Sequence, residues 1–353
     1  MFTSRDHRRR RAHLSGITRR HGMVATLALA TALVVGACSS PAEDNGGATA
    51  PAPEAGAIPV TIEHQYGSTT IDEPVTRVAA MGVGDADTLL ALGVQPTTIA
   101  PFADPTQRVT PWNAELLGDN QPVILPNVSA EFGAMIPKTL ATDPQLITAV
   151  GAAPDRAQYD KLTAAVPTIV RPANYPDWQV PWDVQATEIG KAVGQPKAVA
   201  DKIAQVKAQL ASIRTDHPEF AGKTAVAVTR SADGSISVYG AGDGRGQTLI
   251  DYGLAFPESL KSTITSGFYG TLSPENVSML DAADIVVAID WQGSNAKLQS
   301  DAAWNRQPFV TGKRVVYLDQ QVGSAMSVPT VLTIPWVASQ AVEPIATAAT
   351  EVR

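Results

Sequence analysis

The chain has 353 residues, 44% of them hydrophobic and 17% charged, which suits two domains and excludes a disordered or fibrous protein. Residues 1–37 carry seven of the 27 Lys+Arg and one of the 34 Asp+Glu, so the remainder holds 20 bases against 33 acids, and an acidic body excludes nucleic acid as a partner because phosphate binding needs clustered cations. One cysteine and, past residue 37, only His64 and His217 exclude a disulfide framework, a thiol redox pair and a multi-histidine metal cage, so neither a metal site nor a cofactor is expected.

The first segment to identify itself lies at the N-terminus. Seven arginines fall between Arg5 and Arg20, and an uncharged stretch follows from Met23 to Ala37. Fifteen helical residues rise about 22 Å, short of a roughly 30 Å hydrocarbon core, so this is a secretory h-region and residues 1–37 form a signal peptide. Val35-Gly36-Ala37-Cys38 resembles the bacterial lipoprotein box, which implies that Cys38 is lipidated and becomes the new N-terminus. Residues 38–57 are rich in Pro, Gly, Ala and acids without an apolar period, and read as a flexible tether. The chain is thus expected to be exported and held at the outer face of a cell membrane, by a general secretory or a twin-arginine route.

From Ile58 onward, short apolar runs alternate with helical patterns, which predicts α/β layering. Strands are expected at Thr61–Glu63, Thr69–Ile71, Arg77–Met81, Thr97–Ala100, Leu146–Val150 and Thr168–Val170, then at Ala225–Thr229, Ile236–Tyr239, Ile285–Ile289 and Val315–Leu318. Between these groups Val199, Ile203, Val206, Leu210 and Ile213 step by four and three along one helical stripe. Pro196 suits the first turn of that helix and Pro218 stops it. The pattern predicts an N-terminal α/β lobe over 58–195, an interlobe helix over 196–217 and a C-terminal α/β lobe over 218–353.

Several segments then match one family in order. Pro74 to Pro96 resembles the opening motif of the periplasmic binding proteins that carry iron-siderophores, haem and cobalamin to ABC importers. Leu140-Ala-Thr-Asp-Pro-Gln-Leu-Ile147, Leu162 to Ile169, Leu272-Ser-Pro-Glu275, Leu280 to Val286, and Trp304 leading into Gly312 to Tyr317 resemble its later segments. Val60–Pro74 and Gly323–Pro344 look closest to the actinobacterial ferric-siderophore and haem binders. The resemblance implies two Rossmann-like lobes joined by a single long helix, the class III architecture, with ligand in the cleft between them. It also implies an ABC permease with a separate ATPase as partners, and an acidic residue on each lobe that meets the permease. Asp87 stands in register for the first lobe and Asp251 for the second.

Ligands in open α/β sheets sit outside the carboxyl ends of strands. Those ends deliver Met81, Phe102, Arg230, Asp290 and Trp291, and the run Ile236–Tyr239 opens into alternating glycines from Gly240 to Gly246. A ferric siderophore or haem offers an apolar body with anionic groups, which aromatic faces and planar guanidinium forks recognise. Arg230 and Arg245 are therefore the expected cations, with Phe102, Tyr239, Tyr269, Trp291 and Met81 as walls. Trp112 and Trp178–Trp182 are further candidates.

The alternating glycines lack the Gly-Lys-Ser/Thr of a P-loop and the Rossmann spacing, so they read as a mobile cleft loop. Enzyme chemistry lacks a nucleophile elbow or a well-placed base, and Asp85 with Asp87 reads as a helix-start pair instead of a catalytic dyad. The expectation is a non-enzymatic, lipid-anchored binding protein for a ferric-siderophore or haem-type complex. Cobalamin as the cargo, and a protein-docking use of the fold, are the alternatives.

Overall fold

Alternating burial in the first ordered segments produces a small antiparallel hairpin, β1 (Val60–His64) with β2 (Gly67–Ile71), whose inward residues include Ile62, His64, Thr69 and Ile71. The computed structural model describes residues 50–102, 109–126 and 128–352. The expected signal peptide, Cys38 and the first part of the expected tether lie outside the described residues.

The N-terminal lobe continues with β3 (Val78–Ala80), α1 (Asp85–Ala91), β4 (Pro96–Ile99), α2 (Ala114–Leu117), β5 (Val123–Ile124), α3 (Val128–Leu140), β6 (Leu146–Ala149), α4 (Arg156–Thr163) and β7 (Thr168–Val170). Its five strands lie in the order β5-β4-β3-β6-β7 and every pair is parallel. Every residue of β3, β6 and β7 is buried. That is the signature of a parallel sheet covered on both faces, and it explains why these strands read as continuous apolar runs.

Two helices, α5 (Trp182–Ala192) and α6 (Pro196–Asp216), lead out of this lobe. The buried residues of α6 are Val199, Ile203, Val206, Leu210 and Ile213, the stripe its periodicity predicted. Each such side chain contributes roughly 1.5–3 kcal/mol when fully buried.

The C-terminal lobe holds β8 (Ala225–Arg230), β9 (Ile236–Tyr239), α7 (Gly244–Asp251), β10 (Tyr269–Leu272), β11 (Ile285–Ile289), α8 (Ser294–Ser300), α9 (Ala302–Asn305), α10 (Pro308–Thr311), β12 (Val315–Leu318), α11 (Gln320–Ser327) and α12 (Thr333–Thr350). The order is β10-β9-β8-β11-β12; β8, β11 and β12 are parallel, while β9 and β10 add an antiparallel edge. All ten expected strands are present. β5 escapes sequence reading because it has two residues, and β10 because Gly270 interrupts its apolar pattern. That glycine is required: a Cβ there would stand 1.7 Å from the Thr263 carbonyl oxygen.

One hydrophobic cluster runs through both lobes, from Leu89 and Ile189 through the α6 stripe to Ala225, Val287 and Ile345. Satellite clusters cover the far face of each sheet, around Met81, Met135 and Leu162 in the first lobe and Val226, Trp304 and Phe309 in the second. The lobes are therefore joined by a shared core to which α12 contributes, as well as by α6.

The expected extent of the tether needs correction. The backbone N–H of Glu54 donates to the Gly194 carbonyl, and its carboxylate accepts the N–H groups of Lys197 and Ala198 at 2.9 and 2.8 Å. A carboxylate on the first turn of α6 satisfies orphan donors and meets the positive end of the helix dipole, so the chain is docked well before Ala57.

Candidate functional site

A cavity of about 300 Å³ opens at the carboxyl ends of β8 and β11. β8 delivers Thr229 and Arg230 to it, and β11 delivers Ile289 followed by Asp290 and Trp291. The antiparallel β9 adds Ser237 and Tyr239, residues of one face because strand side chains alternate with period two. The first turn of α7 supplies Arg245, α11 supplies Ser324 and Ser327, and Phe102 enters from the segment after β4 in the other lobe. Phe102 and Trp291 keep 42% and 40% of their surface exposed, which is unusual for aromatics and places apolar area in reach of a ligand.

The two arginines have opposite circumstances. Arg245 forms a two-point pair with Asp243, Nε to Oδ1 at 2.7 Å and an Nη to Oδ2 at 2.8 Å, with side chains 15% and 11% exposed. Its guanidinium stacks on Tyr239, 3.5 Å from the ring centroid. Burial works against its charge, but the bonds and charge of Asp243 outweigh that and hold the guanidinium more firmly protonated than usual. Asp243 in turn caps α7 by accepting the Arg245 N–H at 2.9 Å. The guanidinium of Arg230, by contrast, makes no hydrogen bond or ion pair among the described residues; only the backbone of Arg230 is paired, opposite Ile236.

Asp290 is also engaged, accepting the N–H groups of Gly293 at 3.2 Å and Asn295 at 2.7 Å. Asp243 and the serines of the cavity were not singled out from sequence. The one signal that could have found Asp243 is an aspartate at the start of a helix, where it caps α7, and isolated serines carry no signal.

Five of the seven side chains expected to meet ligand, Arg230, Arg245, Phe102, Tyr239 and Trp291, converge on this cavity. Met81 does not: its N–H still donates to the Thr148 carbonyl as part of the ladder with β6, so its side chain shares the face of Ala79 and is fully buried in the first lobe's satellite cluster. Tyr269 lies one strand further out, opposite Tyr239 with ring centroids 6.3 Å apart, and does not line the cavity.

The remaining expectations are sorted by burial. Asp87 is 7% exposed and accepts hydrogen bonds from Thr330 and from the Trp112 indole; a buried carboxylate is not a surface contact for a permease, and that assignment is withdrawn. Asp251 is half-buried and accepts from Gln247. Its carboxyl is pushed up by burial. Asp85 and Asp87 do lie in the first turn of α1, but Asp85 is held by the Val150 and Gly151 N–H groups and by Gln185. Trp112 packs on Trp336 at 5.2 Å, outside the cavity.

The alternating glycines are a packed turn, not a mobile loop. A Cβ on Gly246 would stand 2.0 Å from the Gly240 carbonyl oxygen, so absence of a side chain serves close backbone approach. His64 is buried against Thr69 and Tyr159, and His217 stacks on Phe220 beside Glu219; neither lines the cavity. Among the described residues no group of three or more His, Cys, Asp or Glu is placed to hold a metal ion, and no helix is long and apolar enough to cross a membrane.

Comparison with known proteins agrees with this geometry. No protein of curated function matches the chain in sequence. Among solved structures it is similar to a periplasmic solute binding protein from Mycobacterium smegmatis, with 26% identity, 82% of this chain and 98% of that one covered, and a TM-score of 0.72. It shares the fold of PiaA from Streptococcus pneumoniae in complex with ferrichrome, at 23% identity over 83% and 99% of the two chains with a TM-score of 0.68. It also shares the fold of SirA from Staphylococcus aureus complexed with staphyloferrin B, at 19% identity over 80% and 98% with a TM-score of 0.62. The sequence profile of the periplasmic binding proteins matches residues 78–322, and with more than half its length so matched, two α/β lobes and a cavity at its strand ends, the chain belongs to the periplasmic binding protein family and is a binding protein, not an enzyme.

Proposed function

We propose that this protein captures a ferric siderophore or haem-type iron complex outside the cell membrane and passes it to an ABC permease driven by a separate ATPase. The observation that carries the reading is the unpartnered guanidinium of Arg230 in a cavity walled by Tyr239, Trp291 and Phe102. Such a site suits a bulky, largely apolar complex with an oxygen-bearing edge. With no histidine among the lining residues, the chelator or porphyrin holds the iron and the protein holds the complex. Structural neighbours with bound ferrichrome and staphyloferrin B lend support to this cargo class. In the same reading a lipid on Cys38 retains the protein at the membrane surface.

A fluorescence titration tests the reading. The six tryptophans of full-length protein in mild detergent are followed while ferric siderophores, haem and cobalamin are added. Saturable submicromolar quenching is expected with one iron-complex class; cobalamin alone, or none of the panel, would overturn the proposal. Incorporation of labelled palmitate that is lost in Cys38→Ala checks the anchor.

A further inference from the structure

Resting on that reading, we propose that the cleft selects ferric complexes with little or no net negative charge, and that Asp243 sets this selectivity by cancelling Arg245. Of the two cations among the described residues that line the cavity, Arg245 is already neutralised by the two-point pair with Asp243 and is pinned against Tyr239. Arg230 is left as the one unpaired cation among the described residues that line it. Even its charge is partly met by exposed Asp233, whose carboxyl is held below the usual range by hydrogen bonds from Ser235 and also by Arg230.

The places where backbone N–H groups would seat an anion are taken as well. The N-terminus of α7 is capped by the Asp243 carboxylate, and the turn entering α8 is filled by Asp290. Among the described residues, the lining groups Arg230, Arg245 and Asp290, together with Asp243 behind Arg245, balance in charge.

A triply anionic ferric tricatecholate would lose its hydration there and gain one cation, whereas an uncharged ferric trihydroxamate loses far less. Asp243 is a positioning residue in this scheme: it acts through Arg245, and specificity arises from an element that works against the wrong ligand.

The test compares an uncharged ferric trihydroxamate with a ferric tricatecholate on full-length protein in mild detergent, for wild type and Asp243→Asn. Asparagine keeps an acceptor for the α7 cap and removes the charge. Wild type is expected to prefer the trihydroxamate by about 100-fold or more, and D243N to shrink that ratio at least about tenfold, more so at low salt. A purely structural role for Asp243 would weaken both ligands together and leave the ratio unmoved, which would overturn the assignment. Equal or tighter tricatecholate binding by wild type would overturn the selectivity while leaving the iron-complex reading intact, and it decides the matter should D243N fold poorly. Binding of neither complex would overturn the selectivity, and if haem too fails to bind, the iron-complex reading falls with it.

Discussion

Asp87 and Thr330 are 243 residues apart in the chain and 2.9 Å apart in space, hydroxyl to carboxylate, both buried where the α11–α12 corner of one lobe meets the start of α1 in the other. Trp112 donates to the same carboxylate and packs on Trp336 of α12, so polar and aromatic contacts fasten the lobes at one point.

This contact makes stability depend on pH. Burial pushes the Asp87 carboxyl up to about 7, with the Thr330 and Trp112 bonds only partly offsetting it. A folded value above the unfolded one means that the folded state binds the extra proton, so the contribution of Asp87 to stability is full below about pH 4 and is lost as pH rises through 7. Buried Asp85 shifts in the same direction. Asp87→Asn is expected to unfold in urea with a free energy exceeding wild type by on the order of 3–4 kcal/mol at pH 8, the difference vanishing near pH 4. A pH-independent difference between the two proteins would contradict this.

Arg230 makes no ion pair with the described residues and meets only the exposed carboxylate of Asp233 at longer range, so its removal should separate binding from stability. Arg230→Ala is expected to weaken binding of the iron complex at least about tenfold, or ~1.4 kcal/mol, with a melting temperature within about 2 °C of wild type. Calorimetry for both quantities checks it, and undiminished affinity would remove Arg230 from the site.

Glu54 tests the docked N-terminal segment. Its carboxylate holds two amides of the first turn of α6, so Glu54→Ala should cost about 0.5–2 kcal/mol, as other lost N-terminal caps do. Hydrogen exchange at Lys197 and Ala198 should rise with it. Unchanged protection of those amides would show that the cap contributes nothing in solution.

The glycine turn makes the opposite kind of demand. Gly246→Ala places a methyl group 2.0 Å from the Gly240 carbonyl, and backbone must move to accept it. A loss of about 1–3 kcal/mol is expected from such overpacking. A mobile loop would accept the same substitution without loss, so denaturant midpoints of the variant and wild type distinguish the two.

Much of the fold was legible because its signals are local. The α6 stripe repeats within seven residues, and β3, β6 and β7 read as strands because burial on both faces demands unbroken apolar runs. The carboxyl ends of β8 and β11 pointed to Arg230 and Trp291 for the same reason: a strand end is where an α/β sheet presents side chains to a cleft. Met81 also stands at a strand end, but it continues the alternation of β3 on the Ala79 face, and that face is covered by Met135 of α3 and Leu162 of α4, a covering that only packing reveals.

Two α/β halves, the helix between them and the short list of cations and aromatics from which a binding site had to be built follow from the order of residues alone, because strand and helix periodicity act over a few neighbouring residues. Packing settles the rest: which arginine is paired and which is not, that Asp87 is buried under Thr330, and that Glu54 caps a distant helix. Pairing energies depend on separation and burial, and for groups as far apart in the chain as Asp87 and Thr330 those are settled only when the lobes pack.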